Sequence, residues 1–308
     1  MPLGTKALAL ALGLTLAAAS VVANGERQGS GPDGLMAWPD LLERPRPAPT
    51  ATIAYGDSAL QVVDLWLPDG PGPHPVVLMV HGGCWQTEIA DRRIMNWIAD
   101  DLRRRGLAVW NIDYRGVDRP GGGYPGTFLD AAAATDALRT HGPAHRLDLQ
   151  RIVAIGHSAG GHLALWLAGR NRLPPNSALR LENPLPIGDV ISLGGLPDLE
   201  EAARPPGSGC GTEVIARLTG EATPGRDDVF ADTSVPRLAP LGIRQVLING
   251  LQDRIIPTSY AEGYATPMRA AGDHVRVRMI DRTGHVELVA PETAAWAAAV
   301  EEIERTLR

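Results

Sequence analysis

The strongest constraint on the fold is the segment around Ser158. A largely apolar run, residues 151–155, leads into the turn Gly156-His157-Ser158-Ala159-Gly160, and residues 161–168 continue with a helix-like pattern. A side chain raised on a tight turn between a strand and a helix crowds its neighbours, so both flanks must be nearly free of side chains. The segment therefore predicts a strand, a sharp turn that presents Ser158, and a helix whose first N–H groups point at the turn. A plain Gly-Ser turn is the alternative.

Short apolar runs alternate with segments of helical spacing along the rest of the chain. The predicted strands cover residues 60–68, 75–80, 107–112, 151–155, 190–193, 245–250 and 275–280. The predicted helices cover residues 92–105, 128–140, 161–168, 213–218, 258–271 and the segment that Pro291 begins. Residues 275–280 alternate between apolar and polar, which is typical of a strand closer to an edge. The β-α-β-α order predicts an α/β protein with a mainly parallel central sheet and helices on both faces.

The domain organisation follows from the same pattern. A chain of 308 residues is long enough for one large α/β domain, and residues 51–308 carry the strands and helices. Residues from about 197 to 240 interrupt the pattern with the run Pro205-Pro206-Gly207-Ser208-Gly209 and one helix-like piece. This segment predicts a small cap insertion over the carboxyl edge of the sheet.

The first 50 residues differ from the rest. Lys6 precedes a nearly continuous apolar run over residues 7–19, and Val21-Val22-Ala23 fits a small-x-Ala cleavage site. Residues 1–23 therefore predict a signal peptide and an exported protein, periplasmic or secreted, with no stable membrane insertion after cleavage. An uncleaved N-terminal anchor is the alternative. Residues 24–50 are rich in Gly, Pro and charge, and predict a flexible N-terminal tail.

The charge and the cysteine count exclude several classes of protein. A formal charge of −6 with no basic run argues against nucleic acid as a partner. Cys84 and Cys210 are too few for a disulfide scaffold or a thiolate metal site, and whether they pair stays open. The sequence has no helical His-x-x-x-His pair and no phosphate-binding glycine loop, so no metal and no cofactor are expected.

Three residues have the types and the order that nucleophilic catalysis needs. A serine hydroxyl needs a base to take its proton, and the base needs a carboxylate to orient it. Ser158, Asp253 and His285 each follow a predicted strand, and the carboxyl ends of parallel strands meet at one edge of a sheet. We therefore predict Ser158 as nucleophile, His285 as base and Asp253 as the orienting acid. Asp281 is the alternative acid, and His157 is expected to shape the turn.

The segment His81-Gly82-Gly83-Cys84-Trp85 follows an early central strand. Acyl transfer needs N–H donors for a developing oxyanion, and glycines let the backbone approach the substrate. The N–H groups of Gly83, Cys84 and Ala159 are therefore predicted to form an oxyanion hole. A plain Gly-Gly turn is the alternative, and Trp85 either lines a pocket or packs in the core.

Together these motifs resemble the α/β-hydrolase superfamily. More narrowly, the chain resembles the esterase/lipase group that includes bacterial feruloyl-esterase-like enzymes, hormone-sensitive-lipase-like esterases and kynurenine formamidases. Its His-Gly-Gly-x-Trp form, in place of His-Gly-Gly-Gly, is similar to the kynurenine formamidase branch. The motifs that carry the resemblance, over residues 50–308, are residues 81–85, Asp113-Tyr114-Arg115, residues 156–160, Asp253 before Ile256-Pro257, and Gly284-His285. The resemblance implies the α/β-hydrolase fold and the activity of a serine hydrolase. Asp113 is interpreted as pinning a loop near the site through Arg115.

The sequence thus predicts a serine hydrolase that cleaves carboxylic esters of small molecules through an acyl-enzyme on Ser158. A formamidase, amidase or peptidase with the same triad is the first alternative, with a substrate such as N-formylkynurenine. A non-catalytic binding protein of the same fold is the second. The sequence does not indicate which acyl group or leaving group the protein selects.

Overall fold

The computed structural model of the protein describes residues 29–307. Eight strands in this range form a single sheet. They are β1 (Ala51–Ala54), β2 (Val62–Trp66), β3 (His74–Val80), β4 (Ala108–Ile112), β5 (Leu147–His157), β6 (Asp189–Leu193), β7 (Arg244–Gly250) and β8 (His274–Ile280). Every predicted strand is present, and β1 is the strand that the sequence pattern did not indicate.

Each predicted helix is present with small shifts, and two short helices of the described range, Trp38–Leu42 and Leu199–Ala202, were not predicted. The helices of this range are α1 (Trp38–Leu42), α2 (Asn96–Arg104), α3 (Gly126–Asp136), α4 (Leu138–His141), α5 (Ala159–Ala168), α6 (Leu199–Ala202), α7 (Thr212–Thr219), α8 (Ser259–Ala270) and α9 (Ala294–Leu307). The helix predicted from residue 92 begins with a 3-10 turn, Arg92–Met95, before α2. The last helix begins at Ala294 and not at Pro291.

The sheet is mainly parallel. The strand order is β1-β2-β4-β3-β5-β6-β7-β8. The pairs β1/β2 and β2/β4 are antiparallel, whereas the strands from β4 to β8 in this order pair in parallel. β8 lies at the edge, as its alternating sequence predicted. The loops after β3, β5, β7 and β8 leave from carboxyl ends on the same edge, and these loops carry the predicted site residues.

Each face of the sheet is covered by its own hydrophobic core. On β3, the side chains of Val76, Leu78 and Val80 belong to the core beneath α3, α5 and α8. Those of Val77 and Met79 belong to the opposite core, beneath α2 and α9. Because both faces of β3 are buried, the strand is a continuous apolar run in the sequence. The predicted α/β architecture with helices on both faces is confirmed.

The prediction of a flexible tail over residues 24–50 is wrong for the described part of that segment. Leu41 of α1 is fully buried in the core beneath α2 and α9. The carbonyl oxygens of Pro45 and Pro47 accept hydrogen bonds from Trp97 Nε1 and Asn96 Nδ2. A composition rich in Gly and Pro disfavours regular secondary structure, but it does not prevent packing against a folded surface.

The predicted signal peptide, residues 1–23, lies outside the described residues. Among residues 29–307, no helix combines the length and the apolar character needed to span a bilayer.

Residues 197–240, named here the cap segment, hold α6 and α7 between β6 and β7. Ile215 and Leu218 of α7 are buried against the core beneath α3, α5 and α8. Arg217 donates a hydrogen bond of 2.6 Å to the carbonyl oxygen of Val117. The cap segment is therefore packed on the loops at the carboxyl edge.

Candidate active site

Ser158 sits on the turn between β5 and α5 in a strained backbone conformation. Its φ is +54° and its ψ is −121°, and it is nearly buried. A Cβ at Gly156 would lie 2.0 Å from the carbonyl oxygen of Gly160, and one at Gly160 would lie 2.2 Å from that of Val80. Both flanking positions therefore require glycine. Strain of this kind persists only where the surrounding structure holds it.

The predicted base and acid are joined by a short hydrogen bond. His285 Nδ1 lies 2.6 Å from Asp253 Oδ2, and both side chains are buried. The other carboxylate oxygen of Asp253 accepts hydrogen bonds from the backbone N–H groups of Ile255 and Ile256, each 2.9 Å long. With both oxygens of Asp253 engaged as acceptors, the proton on His285 belongs on Nδ1. The Nε2 atom is then left as a proton acceptor.

Loop contacts bring the three predicted residues together at one edge of the sheet. The N–H of Ser158 donates to the carbonyl oxygen of Leu193 at the end of β6. The next residue, Gly194, has φ of +54°, and a Cβ there would lie 3.2 Å from Asp253 Oδ2 and 3.4 Å from His285 Nδ1. Among the described residues, Ser158 Oγ makes no hydrogen bond with His285. In unliganded sites such contacts often shorten only when substrate binds.

The competing acid lies elsewhere. Asp281 is exposed, and its Oδ1 accepts a hydrogen bond of 3.2 Å from Gln252 Nε2. The carboxylate that contacts His285 is Asp253. The structure therefore favours Asp253 for the orienting role.

The segment His81–Trp85 lies against the serine turn. A Cβ at Gly82 would lie 3.0 Å from Ser158 Cβ and 2.8 Å from His157 Nδ1. Gly83, Cys84 and Trp85 then have φ angles of +105°, +50° and +53°. Positive φ at two successive non-glycine residues is unusual and indicates a backbone held in place by its surroundings.

The interpretation that Asp113 acts through Arg115 is wrong. Asp113 Oδ1 lies 3.0 Å from His81 Nε2, and Arg92 donates to Asp113 Oδ2 at 2.7 Å. Arg115 instead pairs with Asp130. The buried carboxylate of Asp113 therefore anchors the first residue of the His81–Trp85 segment. Proximity in sequence suggested Arg115, but both residues lie in the loop after β4, where the loop conformation and not the sequence separation decides which side chains meet.

A disulfide between Cys84 and Cys210 joins the same segment to the cap segment, with the two Cα atoms 5.4 Å apart. This settles a pairing that the sequence left open. Trp85, the next residue, is fully buried and belongs to the hydrophobic core beneath α3, α5 and α8. Of the two roles that the sequence allowed for Trp85, core packing is the one observed.

Two side chains on α5 donate hydrogen bonds to the backbone of the cap segment. His162 lies one turn after Ser158, and its Nε2 donates to the carbonyl oxygen of Thr233 at 2.8 Å. Trp166 Nε1, one turn further, donates to the carbonyl oxygen of Asp232 at 2.8 Å. Burial lowers the pKa of His162 to about 4, so its imidazole is neutral at pH 7.

The buried His162 predicts a loss of stability in acid. Its pKa is about 4 in the folded chain and about 6.5 in an unfolded one. Between these values the unfolded state binds more protons, so the free energy of unfolding falls as the pH decreases from 6.5 to 4, by up to roughly 3 kcal/mol. Urea unfolding at pH 7 and pH 4.5 measures this difference. The variant His162→Leu should show a smaller difference, although it is less stable at pH 7.

An exposed histidine provides the control for this measurement. His274→Gln changes a solvated side chain on β8 and should keep the pH dependence of the unmodified protein. Equal pH dependence in His162→Leu and the unmodified protein would contradict the assignment of the acid sensitivity to His162.

Within residues 29–307, no three His, Cys, Asp or Glu side chains are grouped so that they could hold a metal ion.

Parts of this chain are similar in sequence to known proteins. The family model described as BD-FAE matches residues 63–262. A probable isoprenylcysteine alpha-carbonyl methylesterase of Arabidopsis thaliana is 34% identical over 114 residues, which cover 37% of this chain and 23% of that protein. The chain spans between 7% and 27% of the length of the curated relatives that it matches.

Solved structures share the architecture over most of the chain. Esterase B from Lactobacillus rhamnosis superposes with a TM-score of 0.67 at 20% identity, over 85% of this chain and 87% of that chain. A truncated carbohydrate esterase from gut microbiota superposes with a TM-score of 0.64 at 17% identity, over 84% of this chain and 97% of that chain. At these identities the likeness shows the fold, and the prediction of the α/β-hydrolase fold is confirmed.

Proposed function

Because the chain belongs to the BD-FAE family, we propose that it hydrolyses carboxylic esters through an acyl-enzyme formed on Ser158. The observation that carries this proposal is the hydrogen bond of 2.6 Å between His285 and Asp253, beside a serine on a strained turn. A hydrogen-bonded His–Asp pair next to such a serine is the arrangement that activates a hydroxyl nucleophile.

In the first step, Ser158 Oγ forms a bond to the ester carbonyl carbon while His285 Nε2 takes the hydroxyl proton. The carbonyl electron pair moves onto its oxygen, and Asp253 stabilises the imidazolium that forms. The electron pair then returns, the bond to the alcohol oxygen breaks, and His285 gives its proton to that oxygen. A water molecule repeats the sequence on the acyl-enzyme, which releases the carboxylic acid and restores Ser158.

The developing oxyanion is assigned to the N–H groups of Gly83, Cys84 and Ala159. The contact of Gly82 with Ser158 supports this assignment, because it places the following residues beside the nucleophile. Ala159 is the first residue of α5, where N–H groups lack helical acceptors. Each such donor would lower the barrier by about 3 kcal/mol.

The test is a substrate panel combined with active-site labelling. We expect the purified protein to turn over at least one of p-nitrophenyl acetate, p-nitrophenyl butyrate and methyl ferulate, and to form one fluorophosphonate adduct, which peptide mapping places on Ser158. N-formylkynurenine is assayed beside these esters. Its turnover, with no hydrolysis of any ester of the panel, would favour the formamidase alternative. If the protein shows no turnover and forms no adduct, the result would favour a non-catalytic binding protein.

The substrate class is proposed to be a small-molecule ester. The names of the methylesterase relative and of the carbohydrate esterase structure support an ester, but they differ in the group that carries it. The panel therefore includes both simple alkanoyl and aromatic acyl groups.

We also propose that the protein is exported. The disulfide between Cys84 and Cys210 supports this proposal, because such bonds persist mainly in oxidising compartments. We expect protein from the periplasm or the medium to begin at Asn24. A chain found only in the cytoplasm with both thiols free would contradict the proposal.

A further inference from the structure

The carbonyl oxygen of His285 accepts a hydrogen bond from the residue that precedes the nucleophile. His157 Nε2 lies 3.1 Å from this oxygen, and the two imidazole rings are 4.4 Å apart between centroids. Because a carbonyl oxygen can only accept, the proton of His157 belongs on Nε2. Burial, together with the nearby His285, holds the pKa of His157 well below its usual range, so this donor stays neutral.

The residue before His285 is held by a buried carboxylate. Glu287 Oε2 accepts a hydrogen bond of 3.0 Å from the N–H of Gly284, and its Oε1 accepts one of 2.5 Å from the N–H of Met36. Glu287 is only 5% exposed. The loop that carries the base is therefore fixed on one side by Glu287 and on the other by His157.

The N-terminal segment closes this arrangement from outside. The ring of Trp38 meets that of His157 edge-on, with centroids 6.1 Å apart and planes at 76°. The same segment supplies the Met36 N–H that engages Glu287. Residues 36–38 therefore contact both groups that hold the backbone of the base.

We propose that His157 and Glu287, packed against residues 36–38, are positioning residues that aim His285 Nε2 at Ser158. The proposal rests on the proposed function, in which His285 takes the proton of Ser158. Residues 281–286 lie outside helix and strand. Gln252 holds this loop at Thr283, through its backbone N–H and its side-chain oxygen, and Glu287 and His157 hold it at Gly284 and His285. Asp253 holds the ring of His285 through Nδ1 alone. The direction of Nε2 then depends on where the backbone of residue 285 lies.

A matched pair of substitutions at His157 tests the hydrogen bond. The amide nitrogen of Gln reaches about as far along the side chain as His Nε2, whereas that of Asn reaches only as far as Nδ1. In His157→Asn we expect kcat for the best ester of the panel to fall on the order of tenfold or more, with little change in KM, since a 1 Å displacement at a reacting centre costs up to about 100-fold. His157→Gln should recover most of this loss.

Hydrogen exchange of the backbone provides a readout that does not depend on activity. We expect the amides of residues 282–288 to exchange faster in His157→Asn than in His157→Gln. Equal kcat in His157→Asn and the unmodified protein would overturn the proposal. An equal loss of kcat in both variants, with unchanged exchange at residues 282–288, would overturn it as well.

A second set of variants covers the case in which His157→Asn does not fold. Glu287 accepts from the N–H groups of Met36 and Gly284, and in Glu287→Gln one of these two donors must face an amide NH2 in place of a carboxylate oxygen. Trp38→Ala removes the edge-on ring contact with His157. Both should lower kcat several-fold and raise exchange at residues 282–288. Leu42→Ala, at an exposed position of the same short helix, is the control and should change neither. Unchanged exchange and unchanged kcat in both test variants would overturn the proposal.

These outcomes are distinguishable from failure of the proposed function. If the unmodified protein hydrolyses no ester of the panel, the proposed function fails at that point. Hydrogen exchange at residues 282–288 still reports whether His157 and Glu287 hold the loop.

Discussion

Ser158→Ala is expected to lower kcat for p-nitrophenyl acetate by about a millionfold. The substitution removes the atom that forms the acyl-enzyme, and neither His285 nor the N–H donors can replace it. The small rate that persists would come from binding and from the oxyanion donors acting on water. The backbone at position 158 has φ of +54°, and the conformational strain of this angle is about the same for Ala as for Ser. The thermal unfolding temperature should therefore stay close to that of the unmodified protein.

The matched control is Ser259→Ala. Ser259 is exposed at the start of α8, directly after the loop that carries Asp253. Its replacement should leave kcat and fluorophosphonate labelling unchanged. Undiminished turnover by folded Ser158→Ala would show that another residue is the nucleophile.

Most of the parallel strands could be predicted because they are buried on both faces. β3, β5 and β7 each contain a continuous apolar run, and each was predicted within a few residues except for the N-terminal half of β5. β1 was missed because it is four residues long and only partly buried, so its sequence carries no clear period. The segment around Leu41 was predicted to be flexible, yet Leu41 is buried. Its Gly- and Pro-rich composition indicates a lack of regular secondary structure, but it does not indicate whether the segment packs on the rest of the fold.

The site could be predicted where chemistry and topology agree. Ser158, Asp253 and His285 follow strands whose carboxyl ends share an edge, so the chain order alone brings them near one another. The partners of Asp113 and the link from His157 to His285 depend on loop conformation, and sequence carries no pattern for that. His157 and His285 are 128 residues apart in the chain. Two glycines were predicted correctly for a steric reason, because Gly156 and Gly160 leave no room for a side chain.

Asp253→Asn is expected to lower kcat by about 10,000-fold while leaving the fold intact. The backbone N–H groups of Ile255 and Ile256 both point at Oδ1 of Asp253, so the amide oxygen of Asn must take that position. The amide NH2 then replaces Oδ2, 2.6 Å from His285 Nδ1, and donates to it. His285 is forced into the tautomer with its proton on Nε2. In that tautomer it cannot accept the proton of Ser158.

The contrast with Asp281→Asn makes this result specific. Asp281 is four residues before His285, and the sequence offered it as the alternative acid, but it is exposed and bound to Gln252. Its substitution should change kcat by less than about twofold, as surface changes away from the reacting groups usually do. Measuring kcat for both variants at pH 7 and pH 9, with circular dichroism as a check on folding, compares the two carboxylates directly. A large loss in Asp281→Asn with a near-normal rate in Asp253→Asn would assign the orienting role to Asp281. That result would require a different loop conformation in solution, because the single N–H of His285 Nδ1 already donates to Asp253 and cannot also donate to a second carboxylate.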